Sequence, residues 1–178
     1  MARDLITTVY TFDELDQGAQ DRAHSKWLQT GLAWSWWEEW QASIEAFCAI
    51  APIDLIRSDI AAAHVDVTWS DDHAADLSGV RAWVWLHNNG WADLAKANAA
   101  GSCTLTGFCG DCPAFGPIAA YCQGDPRKVP DLEQVFYEAA QAWAQGARQD
   151  QEASDTAKAF ADVCEANEYE FTSMGTLV

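Results

Sequence analysis

At 178 residues, with 49% apolar residues and ten tryptophans, the chain is long enough for one domain with a buried core and too apolar for generalised disorder. Its 27 acidic residues against 10 basic ones give a formal charge of -17, which repels phosphates and so argues against direct binding to nucleic acid or to an anionic membrane. No apolar run approaches the roughly 18 residues of a membrane span. The opening "MARDLITTVYTF" carries Asp4 and lacks a signal-like apolar stretch, so a cytoplasmic protein with reduced cysteines is the expectation.

In chain order, "LITTVY" at 5–10 is rich in β-branched residues and predicts a short strand. Thr11 and Glu14 form a capping box for the turn that follows. Asp16 caps a helix to about Gln29, with Ala19, Ala23 and Trp27 at four-residue spacing and Gly31 as its stop. The tryptophan-rich "WSWWEEWQASIEAFCAIA" predicts a second helix ending at Pro52. Its core seam is Trp36, Trp37, Trp40, Ile44, Phe47, Cys48 and Ala51, which leaves Trp34 as the better candidate for exposure.

"HVDVTWS" alternates as a half-buried strand, and "VRAWVWLHN" predicts another with apolar bulk on both faces. Asn88, Asn89 and Gly90 make a turn before a short helix at 91–100, and "TLTGF" reads as a further strand. Asp131 caps a helix with the stripe Leu132, Val135, Phe136, Ala139, Trp143 and Ala147. Ser154, or an earlier residue, opens the last helix, with Ala153, Ala157, Phe160, Ala161 and Cys164 inward. Glu152, Asp155, Asp162 and Glu165 then project outward. The tail "EYEFTSMGTLV" fits a closing hairpin. The expected fold is α+β over a single domain, 1–178: a small antiparallel or mixed sheet packed with about four to five helices.

The strongest local constellation is "GSCTLTGFCGDCPAFGPIAAYC". Cys109 and Cys112 have the C-x2-C spacing of a zinc turn, and Cys103 and Cys122 could complete a four-thiolate site. Structural zinc, reduced core or loop thiols and redox chemistry all remain open for this group. Cys48 and Cys164 lie on apolar helix faces and read as buried thiols. Catalysis has less support. His24, His64, His73 and His87 are scattered, and the zinc-protease, nucleophile-elbow and phosphate-loop motifs are missing. Asp71, Asp72, Asp76 and His73 could approach a divalent ion, but a hydrated acidic loop is the preferred reading, because no second ligand group is identifiable. Asp66 and His64 share one strand face.

"VYTFDEL" at 9–15 and "NEYEFTSMG" at 167–175 resemble the opening and closing motifs of small acidic proteins encoded by bacteriophages and prophages. "WSDDHAADLSG" and "LTGFCGD" occupy matching places, although the Asp71-Asp72-His73 stretch departs from a glycine-containing one. The resemblance implies a phage or mobile-element origin and an accessory role against host defence, such as a CRISPR system or a restriction enzyme. It supplies no catalytic residue.

The expected function is therefore an acidic inhibitory binding protein, not an enzyme, that engages a cationic nucleic-acid-binding host protein in the bacterial cytoplasm. Its anionic surface would comprise Glu152, Asp155, Asp162, Glu165, Glu168 and Glu170 with Asp71, Asp72 and Asp76. Trp34, Trp83 and Trp85 would serve as aromatic anchors. An antitoxin-like or regulatory module, self-associating as a homodimer, is the first alternative. A small metal-dependent enzyme around the cysteines is the second.

Overall fold

Short acidic side chains cap two of the helices. In the computed structural model, which describes residues 8–30, 34, 36–71 and 74–178, Asp16 Oδ1 accepts from the Ala19 amide at 2.8 Å and opens α1 (Gln17–Gln29). Asp131 Oδ1 accepts from the Gln134 amide at 2.8 Å, ahead of a 23-residue helix. Each bond satisfies an amide that a helix start leaves without an intrahelical partner.

The remaining elements are α2 (Trp37–Ile50), β1 (Ile53–Asp59), β2 (His64–Trp69), α3 (Val80–Asn88), α4 (Trp91–Ala99), α5 (Cys112–Gln123), α6 (Leu132–Ser154) and α7 (Ala157–Ala166). The fold is α+β, with one small antiparallel sheet of two strands. Seven α-helices occur among the described residues, more than the four to five expected. The chain divides into a terminal unit, Met1–Ser35 with Asp150–Val178, and a central unit, Trp36–Gln149.

In the terminal unit, Tyr10 and Phe171 exchange two backbone hydrogen bonds, at 2.9 and 2.8 Å. This joins the two conspicuous motifs, "VYTFDEL" and "NEYEFTSMG". Of the strand expected at 5–10, residues 5–7 lie outside the described residues, as does the expected helix stop Gly31; Thr30 is the cap of α1. The Glu14 carboxylate reaches back to the Thr11 amide at 2.8 Å, as the capping box anticipates. Phe12, Leu15, Ala19, Ala23, Phe160, Cys164 and Phe171 form one buried cluster, with Trp27 stacked on Phe160 at a 4.8 Å centroid separation.

The expected closing hairpin is short: one Phe171–Leu177 bridge, flanked by hydrogen bonds from the Thr172 amide to the Thr176 carbonyl at 2.8 Å and from the Val178 amide to the Glu170 carbonyl at 2.9 Å, closes a turn that brings Gly175 onto α1. Gly175 has φ +78°, and a Cβ there would overlap the Ala19 carbonyl oxygen. Arg22 Nε donates to the Met174 carbonyl at 3.1 Å and holds the same turn.

The central unit follows the expected apolar seams at Trp40, Ile44 and Phe47 of α2. It also buries the whole stripe Leu132, Val135, Phe136, Ala139, Trp143 and Ala147 of α6. Phe47 packs edge-on against Phe115 at 5.5 Å, and Trp91 against Phe136 at 4.7 Å. Three sequence-based expectations fail here. "VRAWVWLHN" is helix α3, not a strand, and buries Ala82 and Leu86, four residues apart. "TLTGF" is a series of turns. α6 continues to Ser154, so the final helix is instead capped by Thr156, whose Oγ1 accepts from the Ala159 amide at 3.1 Å.

β1 pairs with β2 from Ile53↔Trp69 to Asp59↔His64, with a bulge between Leu55 and Arg57. No helix among the described residues is long and apolar enough to cross a membrane.

Gly175→Ala is expected to destabilise the protein by at least about 2 kcal/mol, because both the left-handed backbone and the contact with Ala19 oppose a side chain. Gly116→Ala, in α5 with no non-neighbouring atom near the new Cβ, should change stability by less than about 1 kcal/mol, because the gain in helix propensity is offset by crowding from Pro117, which follows it. Urea denaturation of both variants measures the contrast.

Candidate functional site

The cysteine-bearing loop is organised around a buried carboxylate. Asp111 is fully buried. Its Oδ1 accepts from Ser43 Oγ and Thr106 Oγ1, both at 2.8 Å, and its Oδ2 accepts from the Leu105 and Thr106 amides at 2.9 and 2.8 Å. Four donors replace the water that a buried carboxylate gives up, which makes the group tolerable inside the fold. Asn98, also buried, donates Nδ2 to Thr104 Oγ1 at 2.7 Å and accepts from the Thr104 amide at 3.2 Å. Backbone amides that a strand would have paired are thus taken by two buried side chains, which is why "TLTGF" does not form a strand.

Of the four candidate thiolates, Cys103 and Cys112 approach at 3.9 Å between sulfurs. Cys112 also donates to the Asn98 carbonyl at 3.3 Å. Cys109 is exposed, and Cys122 is half-buried on α5. No group of three or more His, Cys, Asp or Glu side chains is placed to hold a metal among the described residues. Burial, followed by the hydrogen bond with Cys103, pushes the Cys112 thiol up, and burial alone raises Cys122. Burial first, with nearby carboxylates adding, pushes Cys48 and Cys164 up to about 11. These four favour the protonated, weakly nucleophilic form at neutral pH.

Iodoacetamide at neutral pH should therefore alkylate Cys109 first, with Cys48 and Cys164 last and at least about tenfold slower. Peptide mass spectrometry over time gives the order.

Five of the acids expected on the anionic surface are exposed in the terminal unit. α7 turns Phe160 and Cys164 into the buried cluster and leaves Asp162 and Glu165 exposed; Glu152, Glu168 and Glu170 are exposed as well. Asp155 is only half-buried, at the break between α6 and α7, where its carbonyl lies 2.9 Å from His24 Nε2. Asp162 pairs with Lys158 at 2.6 Å, an exposed i,i+4 contact of about 0.3–0.5 kcal/mol. Glu152 belongs to α6 and Asp162 to α7, so the outward ribbon is not carried by a single helix.

In the central unit, Asp71 is half-buried and Asp76 exposed, while Asp72 and His73 lie outside the described residues. His64 Nε2 lies 2.8 Å from Asp66 Oδ1 and Arg57 Nε 3.3 Å from Asp66 Oδ2. This hydrogen bond from His64, and then the positive charges beside it, hold the Asp66 carboxyl below its usual range.

The three expected aromatic anchors are half-buried. Trp34 donates Nε1 to Asp150 Oδ2 at 2.8 Å, Trp83 donates to the Cys122 carbonyl at 3.0 Å, and Trp85 meets the edge of Phe136 at 6.2 Å. The exposed indoles among the described residues are instead Trp36 (51%) and Trp37 (53%), with Trp36 stacked on Phe108 at 6.1 Å. Sequence reasoning placed both in the core seam. The signal that would have found them is their position at the very start of α2, as its N-cap and first residue, beside Glu38 and Glu39.

No protein-family model, curated protein or solved structure matches the chain.

Asp111→Asn should cost roughly 2–4 kcal/mol, because an amide nitrogen turns one acceptor into a donor among donors. Ser43→Ala removes one of the four bonds and should cost about 1 kcal/mol. Chemical denaturation of the two variants compares them.

Proposed function

We propose that this chain is an acidic binding protein that engages a cationic, nucleic-acid-binding protein and competes with nucleic acid for its surface. The observation that carries this reading is the exposure of acidic residues in the terminal unit: Glu152, Asp162, Glu165, Glu168 and Glu170 are exposed, and Lys158 is the only cation between residues 150 and 178. Each exposed ion pair with a partner contributes no more than about 1 kcal/mol. Several together still raise the encounter rate with an Arg- and Lys-rich surface, within a Debye length of about 8 Å at physiological salt.

The resemblance of the terminal motifs to phage-encoded acidic proteins supports a bacterial host-defence component, such as a CRISPR or restriction protein, as the partner. On this reading the chain works as an inhibitor in the bacterial cytoplasm and has no catalytic step of its own.

One observation favours a second reading, a regulatory or antitoxin-like module that binds its partner through apolar contact. Trp36 and Trp37 expose large rings, and buried aromatic anchors dominate many protein interfaces.

Affinity capture from a bacterial lysate, followed by measurement of the captured protein's Kd, separates the two. Charge-led recognition predicts about tenfold weaker binding for the triple variant Glu165→Gln, Glu168→Gln, Glu170→Gln. It also predicts a comparable or larger loss as salt rises from about 0.05 to 0.3 M. Binding that ignores both changes but falls with Trp36→Ala and Trp37→Ala would overturn the charge-led reading in favour of the apolar one.

A further inference from the structure

The central unit contains a cleft of about 370 Å³ between the two-stranded sheet and the first turns of α6, lined by Ile53, Val67, Trp69, Asp131, Glu133, Gln134 and Tyr137. We propose that it is a binding site for a guanidinium group, presented by an arginine side chain of a bound polypeptide. The site shares no residue with the acidic face of the terminal unit, so it stands or falls separately from the proposed function.

The lining has two characters. Ile53 and Trp69 are direct partners across the sheet and, with Val67 and the ring of Tyr137, supply apolar and aromatic wall. Asp131 and Glu133 supply carboxylates, and none of the seven lining residues is basic. Asp131 spends Oδ1 on the Gln134 amide. Glu133 is exposed and forms no ion pair among the described residues. The start of α6 contributes a partial positive charge of about half a unit, which two carboxylates outweigh. The net field in the cleft therefore favours a cation.

Among cations, guanidinium matches this combination best. It is planar, weakly hydrated and able to lie against an indole or phenol ring while donating to carboxylates, whereas an ammonium group holds its water more strongly. The volume lies at the lower end of small-ligand pockets, roughly 300–1,000 Å³, which suits one side chain. Free arginine would bring an α-carboxylate toward an already acidic rim, so the blocked residue found within a polypeptide is the better occupant.

The test is a two-dimensional NMR titration of the full chain with acetyl-arginine-amide, alongside acetyl-lysine-amide, acetyl-citrulline-amide and free L-arginine. Expected are shifts of the Trp69 indole and Gln134 side-chain signals, with the blocked arginine binding at least about threefold tighter than each of the others. Glu133→Gln should weaken that binding about threefold and Glu133→Gln with Tyr137→Leu about tenfold. Both positions are exposed, and unchanged spectra away from the cleft would show that the variants fold. Equal binding of citrulline would remove the role of charge, and equal or tighter binding of lysine would remove the guanidinium assignment. Tighter binding of free arginine would overturn assignment to a polypeptide. Absence of shifts at Trp69 and Gln134, with every probe in the wild-type protein, would overturn the site itself.

Discussion

A carboxylate taken out of water must be given donors in return, and this chain carries 27 acidic residues. Among the described residues, Asp111 is the only charged one that is buried, and it is surrounded by four hydrogen-bond donors. The other described acidic residues are half-buried or exposed, and one of them, Glu39, keeps its Oε2 buried without a hydrogen-bond partner. The interior is consequently built from aromatic and aliphatic groups, with Trp143, Phe47, Phe115 and Phe136 among its largest fully buried side chains. Charge in this protein is a surface property by physical necessity. Asp111 is the exception that orders the loop between α4 and α5.

This constraint shapes what the surface can offer a partner. The terminal unit has twelve acidic residues against four basic ones in a shorter stretch of chain, while the central unit has fifteen against six. Anionic excess is thus present in both units and denser in the terminal one. Within the terminal unit, the buried cluster of Phe12, Phe160 and Phe171 fixes which side of α7 faces inward and leaves Asp162 and Glu165 to water. Individually weak interactions are suited to speeding and orienting an encounter. Apolar contact is better suited to prolonging it.

Local chemistry was legible in the sequence wherever one side chain decides the outcome. Asp16 and Asp131 were readable as caps because a short acceptor before an apolar period satisfies a specific helix amide. The buried stripe of α6 was readable because its period is sustained. Trp37 shows the limit of that approach. It aligns with Ile44 around the axis of α2 but lies two turns nearer the start, where the ring is exposed: periodicity gives an angle and does not say how far the core extends along a helix. "VRAWVWLHN" has apolar bulk at both periods, so helix and strand could not be separated. β1 was hidden because its bulge at Ile56 breaks alternation among Asp54, Arg57 and Asp59. The role of Asp111 was invisible because its partners, Ser43 and Leu105 to Thr106, meet it only after folding. In the candidate site, exposure of the α7 acids was legible; the burial of Trp83 and Trp85 depended on tertiary neighbours.

The central functional claim is that exposed carboxylates occupy a surface that otherwise holds nucleic acid. The most direct measurement is a competition experiment in which a captured partner, bound to labelled duplex DNA or to RNA, is titrated with this protein. Mutually exclusive binding, with the apparent affinity of each ligand falling as the other rises, is the predicted result. A stable ternary complex in which nucleic acid and this protein bind the partner together, neither weakening the other, would contradict the account.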